Sequence, residues 1–242
     1  MYWDIRADIV VITALRKEFD ALKVKFHMLN EDKFLTPIGI REYRIIDFKS
    51  PDKQSSVKMA FVCAEGKGRV SAALVARDAI YDLTPNYIIL VGIAAADPQG
   101  DRIQKGDVVI AENVVDYEIQ KITSKGIEWR PQVFNCSPDL IRIAKNVNHE
   151  DWINDIDKGT LELCLEGYRK SEVKVVKVAC GDKVIADSRT REDLLKTLGN
   201  PGQPLEVIEM ESAGICHAIY ETPEETAPKF TMIKGICDYA DY

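Results

Sequence analysis

Short apolar runs alternate with amphipathic stretches along most of the chain. Residues 8–13, DIVVIT, have an apolar centre typical of a short buried strand, and after them Leu15, Phe19 and Leu22 recur at the spacing of one helix face. Strands separated by helices predict a largely parallel sheet that is covered by helices on both sides. Successive extended stretches at 34–64 and 86–119 indicate that part of the sheet is mixed and curled.

Further strands and helices are predicted from the same pattern. The later apolar runs lie at 57–64, 86–96, 106–119 and 172–181. The run 86–96 is apolar enough to be a strand that is buried on both faces. The helix after residue 64 is predicted to pack through Val70, Leu74 and Ile80. Another helix is predicted over residues 189–199 and is expected to end at Gly199 in the left-handed conformation.

Composition favours one acidic domain over residues 1–242. The net charge of −7 argues against a nucleic-acid or anionic-membrane partner, because both require a basic face. Six cysteines form no CxxC pair and three histidines are scattered, so neither a disulfide framework nor a metal site is predicted. No apolar run approaches the roughly 18 residues of a membrane span, and no signal segment precedes the first strand. We therefore expect a cytoplasmic protein.

Polar or glycine-containing segments follow the predicted strands at five places. These are Glu18, the turn 63–70, the segment after Gly92, the segment 179–188, and the acids Glu209, Glu211, Asp238 and Asp241. Each has a plain structural alternative, such as a solvated helix residue or a tight strand-to-helix turn. Because the carboxyl ends of parallel strands share one edge of a sheet, we expect these places to converge on one site.

Seven stretches, taken in chain order, carry a resemblance to a known family. They are VVITALRKEFDAL, EGKGRVSAALVA, IILVGIAAA, KGDVVIAENVVDYE, GDKVIADS, EMESAGICHA and IKGICDYAD. The chain resembles the nucleoside phosphorylase/nucleosidase superfamily from about residue 8 to residue 241, and is most similar to 5′-methylthioadenosine/S-adenosylhomocysteine nucleosidases. This resemblance implies a three-layer α/β/α fold with a mixed, partly barrel-like central sheet. Family members continue into a long C-terminal helix, which the sequence ending at Tyr242 is expected to lack.

The resemblance implies roles for the acids in breaking the bond between ribose and a purine. Asp238 matches the acid that protonates the leaving base, and Glu18 matches the base that positions the attacking water. Glu211 matches the residue that accepts hydrogen bonds from the two ribose hydroxyls, with Met210 as an apolar surface under the sugar. For Glu209, a contact with substrate and a purely structural role are equally open.

The resemblance also bears on the purine and on the nucleophile. Val184 and Ile185 match the segment that reads the purine mostly through its backbone, although family nucleosidases usually have an aromatic ring where this chain has Val184. Phosphorylases of the superfamily bind phosphate near Gly92 with an Arg and a Ser or Thr, where this chain has Leu90 and Ile93. Ile93 also replaces a Ser that is common in nucleosidases. Water is therefore predicted as the nucleophile, with no cofactor.

The substrate stays open between a purine nucleoside and a purine nucleotide. Four cations near the matched positions could bind 5′-phosphates or could form internal ion pairs: Lys67, Arg69, Lys183 and Lys234. We predict hydrolysis of a nucleoside of the methylthioadenosine/S-adenosylhomocysteine type. The alternatives are an ATP or AMP nucleosidase acting in defence, a phosphate-dependent phosphorylase, and a nucleoside-sensing module. The family implies a homodimer or larger homo-oligomer.

Overall fold

The chain folds into two compact units. The structure is a computed structural model that describes residues 6–28, 34–35, 41–49, 55–98, 102–124, 126–153, 170–199 and 205–241. Unit 1 comprises Met1–Gly92 and Glu211–Phe230, and unit 2 comprises Ile93–Met210 and Thr231–Tyr242. The prediction of one domain over 1–242 and of a missing C-terminal helix stays a prediction.

Unit 1 contains a mixed sheet built around its first strand. Its strands are β1 (Ile9–Thr13), β2 (Phe34–Leu35), β3 (Tyr43–Lys49), β4 (Ser56–Cys63) and the first part of β5 (Tyr87–Ala96). Strand β1 pairs in parallel with β4 and with β5, whereas β3 is antiparallel to both β2 and β4. Val10, Val11 and Ile12 of β1 are buried, which explains why such a short run forms a central strand.

Three helices are described in unit 1, and the last two pack against each other through small side chains. They are α1 (Arg16–Lys25), α2 (Arg69–Leu83) and α6 (Ser212–Tyr220). The buried residues of α2 are Ala72, Val75, Ala76, Ala79 and Leu83. The predicted face of α2 is wrong, since Val70 and Leu74 are 70% and 41% exposed. An alanine-rich face is buried instead, because small residues let α6 approach the α2 backbone closely.

Unit 2 contains a strongly curled sheet. Its strands are β6 (Val108–Asp116), β9 (Gln132–Asn135), β10 (Val173–Cys180), β11 (Val207–Glu209), most of β12 (Lys229–Asp238) and the last part of β5. Strands β7 (Gln120–Thr123) and β8 (Gly126–Trp129) form a separate two-stranded antiparallel sheet. Strand β10 pairs in parallel with β6 and β11, and β12 is antiparallel to β6. The order β11–β10–β6–β12–β5 closes because β5 also pairs with β11. This closed set confirms the predicted mixed, partly barrel-like sheet.

Three predictions in unit 2 and β5 need correction or completion. Helix α3 (Pro138–Asn146) and strands β7 to β9 were not predicted, because they are short and polar. Helix α4 (His149–Ile153) lies in the segment 146–170, for which an insertion and a helix were both open from the sequence. Helix α5 (Ser188–Leu198) was predicted, but Gly199 leaves it at φ −76° and ψ 148°, which is extended rather than left-handed. Strand β5 alternates between buried and half-buried residues, so it is not buried on both faces. No helix in the described part of the chain is long and apolar enough to cross a membrane.

Candidate active site

Glu18 is fixed at the start of α1 by main-chain donors. Its carboxylate Oε2 accepts hydrogen bonds from the N–H groups of Ala14 at 3.0 Å and Leu15 at 2.8 Å. Leu15 is the N-cap residue and has no side-chain acceptor, so Glu18 supplies the carboxylate half of a capping arrangement. Only 9% of Glu18 is exposed. The carboxylate is therefore held in one orientation directly after the carboxyl end of β1.

Gly92 on β5 makes room for the other oxygen of this carboxylate. A Cβ atom built at position 92 would lie 2.6 Å from Glu18 Oε1 and 2.9 Å from its Cδ atom. An ordinary contact between these atoms begins near 3.4 Å, so a larger residue at 92 would displace the carboxylate. Two of the predicted site residues, Glu18 and Gly92, are thus neighbours within unit 1.

Glu211 is likewise held by a main-chain donor within unit 1. It is the N-cap residue of α6 and is 6% exposed. Its Oε1 atom accepts a hydrogen bond from the N–H of Gly68 at 3.2 Å. Gly68 has φ +93°, a conformation that favours glycine. The turn 63–70 was considered as an anion-binding turn, and the anion that Gly68 contacts is this carboxylate.

Close packing between α2 and α6 keeps Gly68 and Glu211 together. A Cβ atom at Gly214 would lie 1.9 Å from the carbonyl oxygen of Arg69, so only glycine allows this separation of the two helices. Gly214 and Ala213 are both buried on α6. The small residues after Glu211 in EMESAG therefore determine where its carboxylate lies relative to the Gly68 turn.

Asp238 is the last residue of β12, in unit 2, and is half-buried. Its Oδ1 atom accepts a hydrogen bond from the N–H of Ala240 at 2.9 Å, which forms a tight turn after the strand. The thiol of Cys237 lies 3.3 Å from Asp238 Oδ2. Two neighbouring groups therefore fix the position of the Asp238 carboxyl group at the end of the strand.

Glu209 and Lys234 form a buried ion pair in unit 2. Lys234 Nζ lies 2.8 Å from Glu209 Oε2, and both side chains are only 1% exposed. Such a pair is costly to break, because loss of either partner leaves a buried charge without its counter-ion. The pair supports the structural alternative for Glu209 and the internal ion-pair alternative for Lys234. A contact of either residue with substrate stays a prediction.

The remaining predicted positions differ in exposure. Val184 is 71% exposed, whereas Ile185 packs against the buried cluster that contains Tyr117 and Val115. Met210 and Ile93 are half-buried. The roles of all these residues, and the convergence of Glu18 and Glu211 with Asp238, stay predictions.

Comparison with known proteins identifies the family of the chain. The sequence model of the phosphorylase superfamily matches residues 8–241. The chain therefore belongs to the phosphorylase superfamily. A comparison with curated protein sequences gives no match.

Solved structures of nucleosidases share this fold at low sequence identity. The S-adenosylhomocysteine nucleosidase of Streptococcus pyogenes, in complex with 5-methylthiotubericidin, has a TM-score of 0.67 and 20% identity, over 98% of this chain and 85% of that one. The 5′-methylthioadenosine/S-adenosylhomocysteine nucleosidase of Neisseria meningitidis, with methylthio-immucillin-A, gives 0.66 and 21%, over 96% and 86%. The Streptococcus pneumoniae enzyme, with 8-aminoadenine, gives 0.66 and 19%, over 97% and 87%.

Sequence reasoning missed the residues that hold the acids in place. The N–H of Gly68 and the carbonyl of Arg69 act through the main chain, so their side chains give no signal. The pairing of Glu209 with Lys234 joins two apolar strands and could not be assigned without knowing their register. A lysine inside the run FTMIKGIC was the one available hint, since a buried ammonium group requires a partner.

Proposed function

We propose that the chain is a purine nucleosidase that hydrolyses the N-glycosidic bond of a nucleoside of the methylthioadenosine/S-adenosylhomocysteine type. The observation that carries this proposal is the burial of two carboxylates that main-chain donors hold: Glu18 accepts from two N–H groups and Glu211 from one. Such anchoring fixes the orientation of two buried acids, which is typical of a binding or catalytic site. Membership of the superfamily and the fold shared with nucleosidases support the same activity.

In this proposal the acids divide the reaction between them. Asp238 donates its proton to the imidazole-ring nitrogen of the leaving purine as the C–N bond breaks, so that the base departs neutral. Glu18 orients a water molecule towards the oxocarbenium-like ribose and accepts its proton. Glu211 accepts hydrogen bonds from the two ribose hydroxyls, and Met210 contacts the sugar. The products are free purine and the ribose-containing remainder.

Two observations favour a nucleoside and water over the alternatives. Leu90 is fully buried and Ile93 carries no charge or hydroxyl, which disfavours a phosphate dianion at the position used by phosphorylases. Lys183 pairs with Glu118 and Lys234 pairs with Glu209, so two of the four candidate phosphate-binding cations already have carboxylate partners. The first observation supports water as the nucleophile, and the second supports a substrate without 5′-phosphates.

The proposal is tested by incubating the protein with methylthioadenosine, S-adenosylhomocysteine, adenosine, AMP and ATP, with and without phosphate. Free adenine is measured by chromatography. We expect release from the two thioethers without phosphate, and a loss of about 100-fold or more in kcat for Asp238→Asn. Release only with phosphate would instead support the phosphorylase. Release from ATP or AMP alone would support the nucleotide nucleosidase, and no release from any substrate would refute hydrolysis.

A further inference from the structure

We propose that Glu118 is a positioning residue for the segment 182–185, an inference that rests on the purine-binding role proposed for Val184 and Ile185. Glu118 follows β6 by two residues and lies far along the chain from the segment that it contacts. Nothing in the resemblance assigns it a role. Its contacts nevertheless connect it to the main chain of this segment at Asp182 and to the side chain of Lys183.

Both carboxylate oxygens of Glu118 are engaged by the segment. Oε1 accepts a hydrogen bond from the N–H of Asp182 at 2.8 Å, and Oε2 pairs with the ammonium group of Lys183. The Glu118 side chain is only 15% exposed, whereas Lys183 is 54% exposed. A partly buried carboxylate that accepts from a charged group and from the backbone makes stronger contacts than a surface pair would.

The neighbouring Tyr117 fixes the two residues that immediately precede this segment, Cys180 and Gly181. Its N–H donates to the carbonyl oxygen of Cys180 at 3.2 Å. A Cβ atom at Gly181 would lie 2.3 Å from the Tyr117 ring, so glycine is required for this close approach. The ring is buried and meets Trp129 edge to face, with centroids 6.1 Å apart. Residues 117 and 118 therefore hold four consecutive residues, 180–183.

The contacts of Tyr117 and Glu118 matter because the segment 182–185 is proposed to bind the purine through its main chain. Val184 is exposed, so the course of the chain at this position depends on its neighbours. Tyr117 and Glu118 hold residues 180–183 on one side, and Ile185 packs on the Tyr117 cluster on the other. Main-chain donors and acceptors recognise a purine edge only when their positions are fixed beforehand, because ordering a mobile segment reduces affinity. Glu118 is thus expected to act on the binding of the purine rather than on the breaking of the bond.

The expected result is a selective change in KM. Glu118→Ala removes both contacts and should raise KM about 10- to 100-fold, as expected for lost hydrogen bonds to a charged group, with kcat within about threefold. Glu118→Gln keeps an oxygen for the Asp182 N–H and should raise KM less. Lys183→Met removes only the ammonium contact and should resemble Glu118→Gln. The matched control is Glu150→Ala, which removes an exposed pair with Lys170 at 3.5 Å and should change neither constant.

Hydrogen exchange of residues 182–185 gives a second readout that needs no activity. Faster exchange in Glu118→Ala than in wild type and Glu150→Ala supports the inference. Unchanged exchange, or an unchanged KM in a folded Glu118→Ala protein, overturns it. A fall in melting temperature with both constants unchanged also overturns it, since the role would then be purely structural. Absence of activity in the wild type would refute the proposed function, while the exchange measurement would still decide whether Glu118 orders the segment.

Discussion

The contact between Gly92 and Glu18 leads to a prediction that can be quantified. In Gly92→Ala the new methyl group would start 2.6 Å from Glu18 Oε1, while an ordinary contact begins near 3.4 Å. The carboxylate would therefore have to retreat by about 0.8 Å. It cannot do so freely, because the N–H groups of Ala14 and Leu15 bind its other oxygen.

The energetic cost follows from the bonds that the movement strains. A hydrogen bond to a charged group contributes about 1.5–3 kcal/mol, so loss of one of the two bonds should lower the free energy of unfolding by about that amount. Misplacement of a catalytic group by roughly 1 Å costs about 100-fold in rate, so adenine release should fall by about that factor. The first effect is independent of the proposed function, and the second depends on it.

Gly235 provides the matched control. It also lies inside a strand, and a Cβ atom built there meets nothing within 4 Å. Gly235→Ala should therefore change the free energy of unfolding by less than about 1 kcal/mol and leave turnover unchanged. Urea denaturation of both variants, repeated in a Glu18→Ala background, measures the coupling between positions 92 and 18. The reasoning is refuted if Gly92→Ala destabilises the protein equally with and without Glu18, or if it behaves like Gly235→Ala.

Three further predictions concern unit 2. Lys234→Met or Glu209→Gln should each lower the free energy of unfolding by about 3–5 kcal/mol, and changing both residues to methionine should recover much of the loss. Urea denaturation measures these changes. Single variants as stable as the wild type would contradict the buried pair. Burial raises the pKa of the Cys136 thiol to about 12. Iodoacetamide at pH 8, followed by peptide mass spectrometry, should therefore label the exposed Cys237 and spare Cys136 until the protein unfolds. Labelling of Cys136 in the folded protein would contradict its burial. Val184→Phe should lower KM for the purine substrate by stacking on the base, and an unchanged KM would argue against a base next to this residue.

The sequence allowed the main strands and helices to be predicted, because long apolar runs and regular helical spacing leave few alternatives. The alanine-rich face of α2 was not recognised, since Val70 and Leu74 give a stronger hydrophobic signal than Ala72 and Ala76. Short β7, β8 and β9 have too few buried residues for periodicity to identify them. Close packing of two backbones is a three-dimensional property that periodicity does not report.

The candidate site was only partly accessible from sequence. Its acids could be selected because they follow predicted strands and match the family pattern. The groups that orient them could not, since the Gly68 N–H and the Glu211 carboxylate are 143 residues apart in the chain. Similarly, Glu118 and Lys183 are 65 residues apart, and either could equally have been a solvated surface residue.

The pairing of α2 with α6 has a consequence for biosynthesis. On the ribosome, helix α2 lacks its partner α6 until a segment made 143 residues after Gly68 has emerged. The nascent chain therefore exposes the surface of α2 that contacts α6 during most of its translation. Exposed apolar surface of this kind is recognised by chaperones and proteases. Chains that terminate before residue 212 would lack α6 altogether. We therefore expect these truncated products to be degraded quickly rather than to accumulate as stable fragments.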